Sequence, residues 1–239
     1  MQTTQNGRFY AISARFKPFS NKGKTLVIQY TVKHEQKMDC GGGYIKVFPA
    51  DIDQKNLNEK SQYYIMFGPD ICGFDIKKVH VILHFKNQYH ENKKLIRCKV
   101  DGFTHLYTLI LRPDLSYDVK IDGQSIESGS IEYDWNLASL KKEKSLAESK
   151  DRKLTEDIKA QVRSGTIFDN FLITDDEEYA DNFGKATWGE TKGPEREMDA
   201  IQSKEEMKKA REEEEEELQS QESDGHKNYF HRFHKRNEL

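Results

Sequence analysis

Residues 38–48, MDCGGGYIKVF, set three consecutive glycines between a cysteine and a Tyr-x-Lys pair. Three missing side chains in a row open the backbone to a close neighbour, either a bulge or bend of the chain itself or an external group. Tyr44 and Lys46 add a ring and an ammonium, and downstream Tyr63 and Asp70 add a second ring and a carboxylate. Read singly, Tyr44 and Tyr63 are half-buried sheet aromatics, Asp70 after Pro69 is a turn residue, and His105 is a structural histidine. Hydrolysis of a glycoside needs two carboxylates facing one bond, about 5–9 Å apart. Asp118 and Lys120 alternate with core positions before Asp122 turns the chain, so no strand offers such a pair. A nucleophile elbow, a phosphate loop and zinc-ligand spacing are also absent. The chain reads as a binding module and not an enzyme.

The elements that carry these residues are strands. TLVIQYTV (25–32), YIKVF (44–48), VHVILHF (79–85), HLYTLILR (105–112), YDVKI (117–121) and GTIFDNFLIT (165–174) are short and rich in β-branched and aromatic residues. Leu26, Ile28, Tyr30 and Val32 alternate with Val27, Gln29 and Thr31, which puts one face in a core. Asp122-Gly123 between YDVKI and QSIESGSI predicts a tight hairpin. Many antiparallel strands with few helices imply a mainly β jelly-roll or two-sheet sandwich.

After Thr174 the composition changes. A charged helix is expected over 194–218, where Glu205 and Lys209 form one of several pairs four apart, followed by a disordered tail over 219–239. The expected organisation is a sandwich over 1–137, a linker over 138–161, and the last strand with the start of the helix over 162–193. A charged fraction of 33% against 35% hydrophobic, at mean hydropathy −0.90, requires part of the chain to be solvated. The net charge of −3 and the lack of a chain-wide basic patch exclude nucleic acid as a partner. No apolar run approaches the roughly 20 residues that span a bilayer, and the first ten residues lack a signal-peptide core. The closing Arg236, Asn237, Glu238 and Leu239 are near the endings that a receptor reads for return to the endoplasmic reticulum. Cys40, Cys72 and Cys98 allow three pairings with one thiol left over, or three reduced core cysteines.

The blocks KHEQKMDCGGGYIKVFP, YYIMFGPDICG, KKVHVILHFK, FTHLYTLILRPD and SGTIFDNFLITDDEEYADNFGKATWG resemble the globular lectin domain of the calreticulin family, over nearly all of 2–137 and 162–218. The resemblance implies a concanavalin A-like sandwich in a chaperone of the endoplasmic reticulum lumen. Such a chaperone holds the monoglucosylated arm of an N-glycan on unfolded or immature glycoproteins. It implies sugar contacts at Tyr44, Lys46, Tyr63, Met66 and Asp70, a flanking contact at Ile82, and glycines that let the sugar approach the backbone. It also implies a Cys40–Cys72 disulfide with Cys98 free, and calcium with Asp169 as the one retained carboxylate of an incomplete site. An acidic run at Glu212–Glu217 adds at most weak calcium binding.

Three departures accompany the resemblance. The family's first strands, with two lysines whose carbonyls help hold calcium, have no counterpart here. The proline-rich arm is missing, since no proline lies between Pro113 and Pro194, and docking of a thiol oxidoreductase is expected to be lost with it. In EDIKAQV, Ile158 and Ala160 stand where the family has an Asp and a Trp that complete the sugar site. Losing an indole platform and a charged hydrogen bond costs on the order of 2–4 kcal/mol of binding.

Overall fold

The computed structural model describes residues 1–36, 38–58, 60–72, 76–137 and 162–234, with the backbone alone for Ile76 and 216–234. Residues 1–192 form one compact unit and 193–239 a second. In the first, β1 (Leu26–His34), β7 (His105–Leu111), β8 (Ser116–Ile121), β9 (Gln124–Ser130) and β10 (Thr166–Thr174) build an antiparallel sheet in the order β10-β1-β7-β8-β9. A second sheet holds β2 (Cys40–Gly42), β4 (Ile65–Cys72), β5 (Ile76–Phe85) and β6 (Gln88–Glu91) in that order, and β3 (Ile45–Val47) also pairs with β4. The mainly β two-sheet sandwich expected from the alternation is the fold.

Its core lies between the sheets. Leu26, Ile28, Tyr30 and Val32 of β1 meet Phe67, Val79 and Val81 of the facing sheet, with Leu109, Tyr117 and Val119 beside them. Full burial of each large apolar side chain contributes roughly 1.5–3 kcal/mol. The second face of β1 is buried as well. Val27 and Gln29 lie under the helix α2 (Glu177–Gly184), where Gln29 Nε2 donates to Ala180 O at 3.0 Å and Gln29 Oε1 accepts from Thr108 Oγ1 at 2.8 Å, and Thr31, also buried, accepts from Asn170 Nδ2 at 3.2 Å. Gln29 reads as a solvent-facing position in sequence, yet its amide is satisfied on both sides by this cover.

Trp135 ties the two sheets together. It follows the short helix α1 (Ile131–Asp134), donates Nε1–H to Val81 O at 3.0 Å, and meets the Tyr117 ring edge-on at 4.7 Å. The predicted Asp-Gly hairpin is present, with φ 58° at Asp122 and 76° at Gly123. The β5–β6 turn uses the same left-handed geometry at Lys86 and Asn87, without glycine.

Beyond a π-helical turn at Lys185–Gly189, α3 runs from Glu190 to His234. Pro194, where the sequence analysis starts the charged helix, lies inside α3, and residues 219–234, expected as tail, continue it. Extending an existing helix costs far less than nucleating one, which carries it through a segment of weak helix formers. Residues 138–161, with Ile158 and Ala160, and the ending Arg236, Asn237, Glu238 and Leu239 lie outside the described residues. Among the described residues no helix is long and apolar enough to cross a membrane.

Candidate functional site

The glycine run sits at a kink in the edge of the second sheet. β2 and β3 both pair with β4, and Gly43 and Tyr44 form the break between them. Gly43 N donates to Pro69 O at 2.9 Å, while Gly68 on β4 takes φ 140°, which a residue with a Cβ rarely adopts. The kink is held from behind by Tyr30 of the opposite sheet. Its buried hydroxyl lies 2.7 Å from Gly43 O and 3.0 Å from Phe67 O, sharing one proton between two carbonyls. A Cβ on Gly68 would fall 1.9 Å from Tyr30 Oη and 2.7 Å from Tyr44 Cα. A Cβ on Gly42 would lie 2.7 Å from the Tyr44 ring, one on Gly43 2.9 Å from Val32, and one on Gly41 2.5 Å from the Met38 sulfur. The room left by the glycines is therefore filled from within the protein, by Met38, Tyr44 and Val32.

Cys40 and Cys72 stand directly opposite each other on β2 and β4 and form a disulfide, leaving Cys98 as a free, half-buried thiol. Cys40 O also accepts Arg163 N–H at 2.9 Å, so the chain rejoins the sheet beside this bridge after the linker.

Cross-strand register then sorts the remaining residues. Lys46 pairs with Met66, Met66 with Ile82, and Ile82 with Glu91, a single row across β3, β4, β5 and β6. Asp70 pairs with Gly42 on one side and Lys78 on the other, and Gly68 pairs with His80. Directly paired residues share a face, and Phe67, Val79 and Val81 occupy the opposite one. Lys46, Met66, Asp70 and Ile82 are thus brought onto the outer face of one sheet. Tyr44 joins them at the kink, and Lys46 Nζ lies 5.8 Å from its ring centroid and 4.5 Å from that of Tyr63. The two rings differ in access. Tyr44 is 38% exposed, whereas Tyr63 is 8% exposed and packs against Tyr89 at 4.5 Å between centroids. Tyr44 is the more open of the two rings.

The face also carries charged residues that the sequence analysis did not single out. His80 Nε2 donates to Asp70 Oδ2 at 2.9 Å, and His80 Nδ1 donates to Glu91 Oε1 at 2.7 Å. The same Glu91 oxygen accepts from Lys78 Nζ at 2.7 Å. Burial alone would lower the His80 pKa, but the two carboxylates outweigh it and raise the imidazole to about 9. The hydrogen bond from His80, opposed by burial and aided by Lys78, holds Glu91 down at about 2. Burial, with the Asp70 charge, raises the Tyr44 phenol. A signal for His80 and Lys78 was present in the alternation of Lys78, His80, Ile82 and His84 against Val79, Val81 and Leu83. Glu91 had none, because the polar QYHE of β6 does not read as a strand.

Asp169 sits elsewhere, at a bulge in β10 where the pairing with β1 shifts between Gln29 and Thr31. Its side chain is exposed, and Oδ1 accepts the N–H of Asn170 at 2.8 Å. Among the described residues no three His, Cys, Asp or Glu side chains cluster closely enough to hold a metal ion. Calcium takes six to eight oxygens, so Asp169 does not by itself make such a site. His105 is structural: it lies between Asp101 at 2.6 Å and Asp122 at 2.8 Å, and Asp122 Oδ1 accepts Leu106 N–H, tying β7 to the β8–β9 turn.

A model of the Calreticulin family matches residues 1–160. Calreticulin-3 of Homo sapiens is 68% identical over 319 aligned positions, covering 100% of this chain and 83% of that protein. This chain belongs to the calreticulin family. Calreticulin of Rattus norvegicus is 41% identical, over 86% of this chain and 72% of its own length. The solved T. cruzi calreticulin globular domain superposes with a TM-score of 0.72 at 33% identity, over 86% of this chain and 83% of that one. The span shared with the human relative, 319 positions against 239 residues, leaves at least 80 positions with no counterpart here. Calreticulins are non-enzymatic, calcium-binding chaperones, typically of the endoplasmic reticulum lumen.

Proposed function

We propose that the outer face of the second sheet is a carbohydrate-binding surface, and that the protein is a lectin-like chaperone for unfolded or newly made glycoproteins in the endoplasmic reticulum. The observation that carries this reading is the single row Lys46–Met66–Ile82 with Asp70 and Tyr44 beside it, none of them facing the core. Tyr44 offers a ring to the apolar face of a hexose, while Lys46 and Asp70 supply a donor and an acceptor for its hydroxyls. The ligand is the monoglucosylated arm of an immature N-glycan. Arg236–Leu239 is the signal for the retention receptor, docking of a thiol oxidoreductase is lost with the arm, and calcium is held weakly by the Glu212–Glu217 run.

Calorimetric titration with a monoglucosylated high-mannose oligosaccharide tests the reading. Binding by the wild type is expected to weaken at least tenfold in Tyr44→Ala and in Asp70→Asn, since each removes a contact of about 1.4 kcal/mol or more. Absence of heat with the wild type at millimolar sugar would refute it.

A second reading, client holding without sugar, is favoured by the exposure of Phe9 (59%), Ile12 (76%), Phe16 (55%) and Phe19 (52%) along the N-terminal segment. It predicts that aggregation of a denatured, unglycosylated protein is suppressed equally by the wild type and by Tyr44→Ala.

A further inference from the structure

Glu91 shares the cross-strand row of Lys46, Met66 and Ile82, and its carboxylate meets the same imidazole that bonds Asp70. We infer that Glu91 is a positioning residue for the candidate sugar site, acting through His80 to fix the Asp70 carboxylate with one oxygen held by the protein and the other left as the acceptor for a ligand hydroxyl. The inference rests on the carbohydrate reading of this face.

The geometry requires such a role. An imidazole between two carboxylates must carry a proton on each nitrogen to satisfy both, so His80 is an imidazolium and donates to both neighbours. With its second nitrogen held by Glu91, the ring cannot flip without breaking a charged bond, and Nε2–H stays directed at Asp70 Oδ2. Among the described residues Asp70 Oδ1 accepts no hydrogen bond. Lys78 also bonds the Glu91 oxygen, so two cations balance two carboxylates and the patch is neutral as a group. Side-chain exposures of 14% for His80, 29% for Asp70 and 43% for Glu91 leave the chain of bonds partly sheltered, where charge-assisted bonds hold geometry better than at a fully wet surface.

The experiment combines calorimetry with nitrogen-15 NMR of the histidine side chains at neutral pH, on the full chain. The probe is the monoglucosylated oligosaccharide. In the wild type both His80 nitrogens are expected to show protonated shifts. Glu91→Gln is expected to move at least one of them towards the neutral form and to weaken sugar binding roughly tenfold. Glu91→Asp restores most of the affinity, and Lys24→Gln, which breaks only the Lys24–Asp175 pair outside this face, stays within about twofold of the wild type. Near-ultraviolet circular dichroism checks that each variant is folded, with the aspartate variant standing in if the glutamine one is not. The inference is overturned if Glu91→Gln shifts the His80 signals but binds sugar like the wild type, or if the wild-type His80 is neutral. A wild type that does not bind sugar while His80 is doubly protonated overturns the carbohydrate reading, and the ligand role of Glu91 with it, and leaves the Asp70–His80–Glu91 bonds as architecture.

Discussion

At the scale of single residues, His80 and His34 set opposite limits on pH. His80 is raised from about 6.5 to about 9, so its contribution to stability is fully present below pH 6.5 and is lost as pH rises towards 9. His34 is lowered, chiefly by burial, from about 6.5 to about 4, and Nε2 has no partner among the described residues. Its neutral form is favoured in the fold, so stability falls as pH drops from 6.5 towards 4. Glu91, held at about 2 against an ordinary 4.5, adds a further loss below pH 4.5. A series of thermal melts is expected to show its highest midpoint near pH 6.5. His80→Gln should flatten the alkaline side and, by releasing Glu91, reduce the loss below pH 4.5, while the His34 contribution between pH 6.5 and 4 stays in place. A midpoint that does not fall between pH 6.5 and 9 in the wild type would contradict the account of His80.

At the scale of elements, the edge of the second sheet depends on a covalent and a hydrogen-bonded clamp. β2 is three residues long, and a strand that short needs help to stay paired. The Cys40–Cys72 bridge, closing a separation of 32 residues, supplies it, together with the bond from Arg163 N to Cys40 O. Replacing both cysteines by alanine is expected to cost about 3–4 kcal/mol in the loop-entropy model. The urea midpoint should drop and the slope should rise, because the denatured chain without the bridge exposes more surface. A midpoint equal to that of the wild type would show that the β2 edge is held by hydrogen bonds alone. Because Gly42 lies against the Tyr44 ring, fraying of this edge would also carry the candidate platform with it.

At the scale of the whole sandwich, Trp135 joins elements that are distant in sequence. It is 1% exposed, packs in the core between the sheets, and bonds Val81 O across 54 residues. Trp135→Ala removes a large core side chain and leaves that bond unmade, a loss of about 3–5 kcal/mol. The near-ultraviolet circular dichroism melt should keep a single transition at a much lower midpoint. Loss of near-ultraviolet signal from one sheet's aromatics at unchanged midpoint would mean instead that the two sheets melt independently. Trp188 likewise bonds across 84 residues, donating Nε1–H to Thr104 O at 2.7 Å.

How much of this was legible in sequence follows from the range of each interaction. Short runs of β-branched and aromatic residues showed β1, β3, β5, β7, β8 and β10, alternation showed the inward residues of β1, the Asp122-Gly123 pair showed its hairpin, and the glycine and cysteine blocks carried the family. These are local signals, set by backbone geometry within a few residues. β4 was hidden by Gly68-Pro69, two residues that ordinarily break a strand and here match a kink supported by Tyr30. β6 was hidden because its turn has no glycine and its residues are polar. The cover that α2 gives Gln29, the use of the glycine space by Met38, Tyr44 and Val32, and the meeting of Glu91 with His80 and Asp70 belong to tertiary structure alone. Alternation tells which side of its own strand a residue occupies. Only pairing register and the packing of one sheet on another decide which residues, 45 positions apart from Lys46 to Glu91, stand in one row.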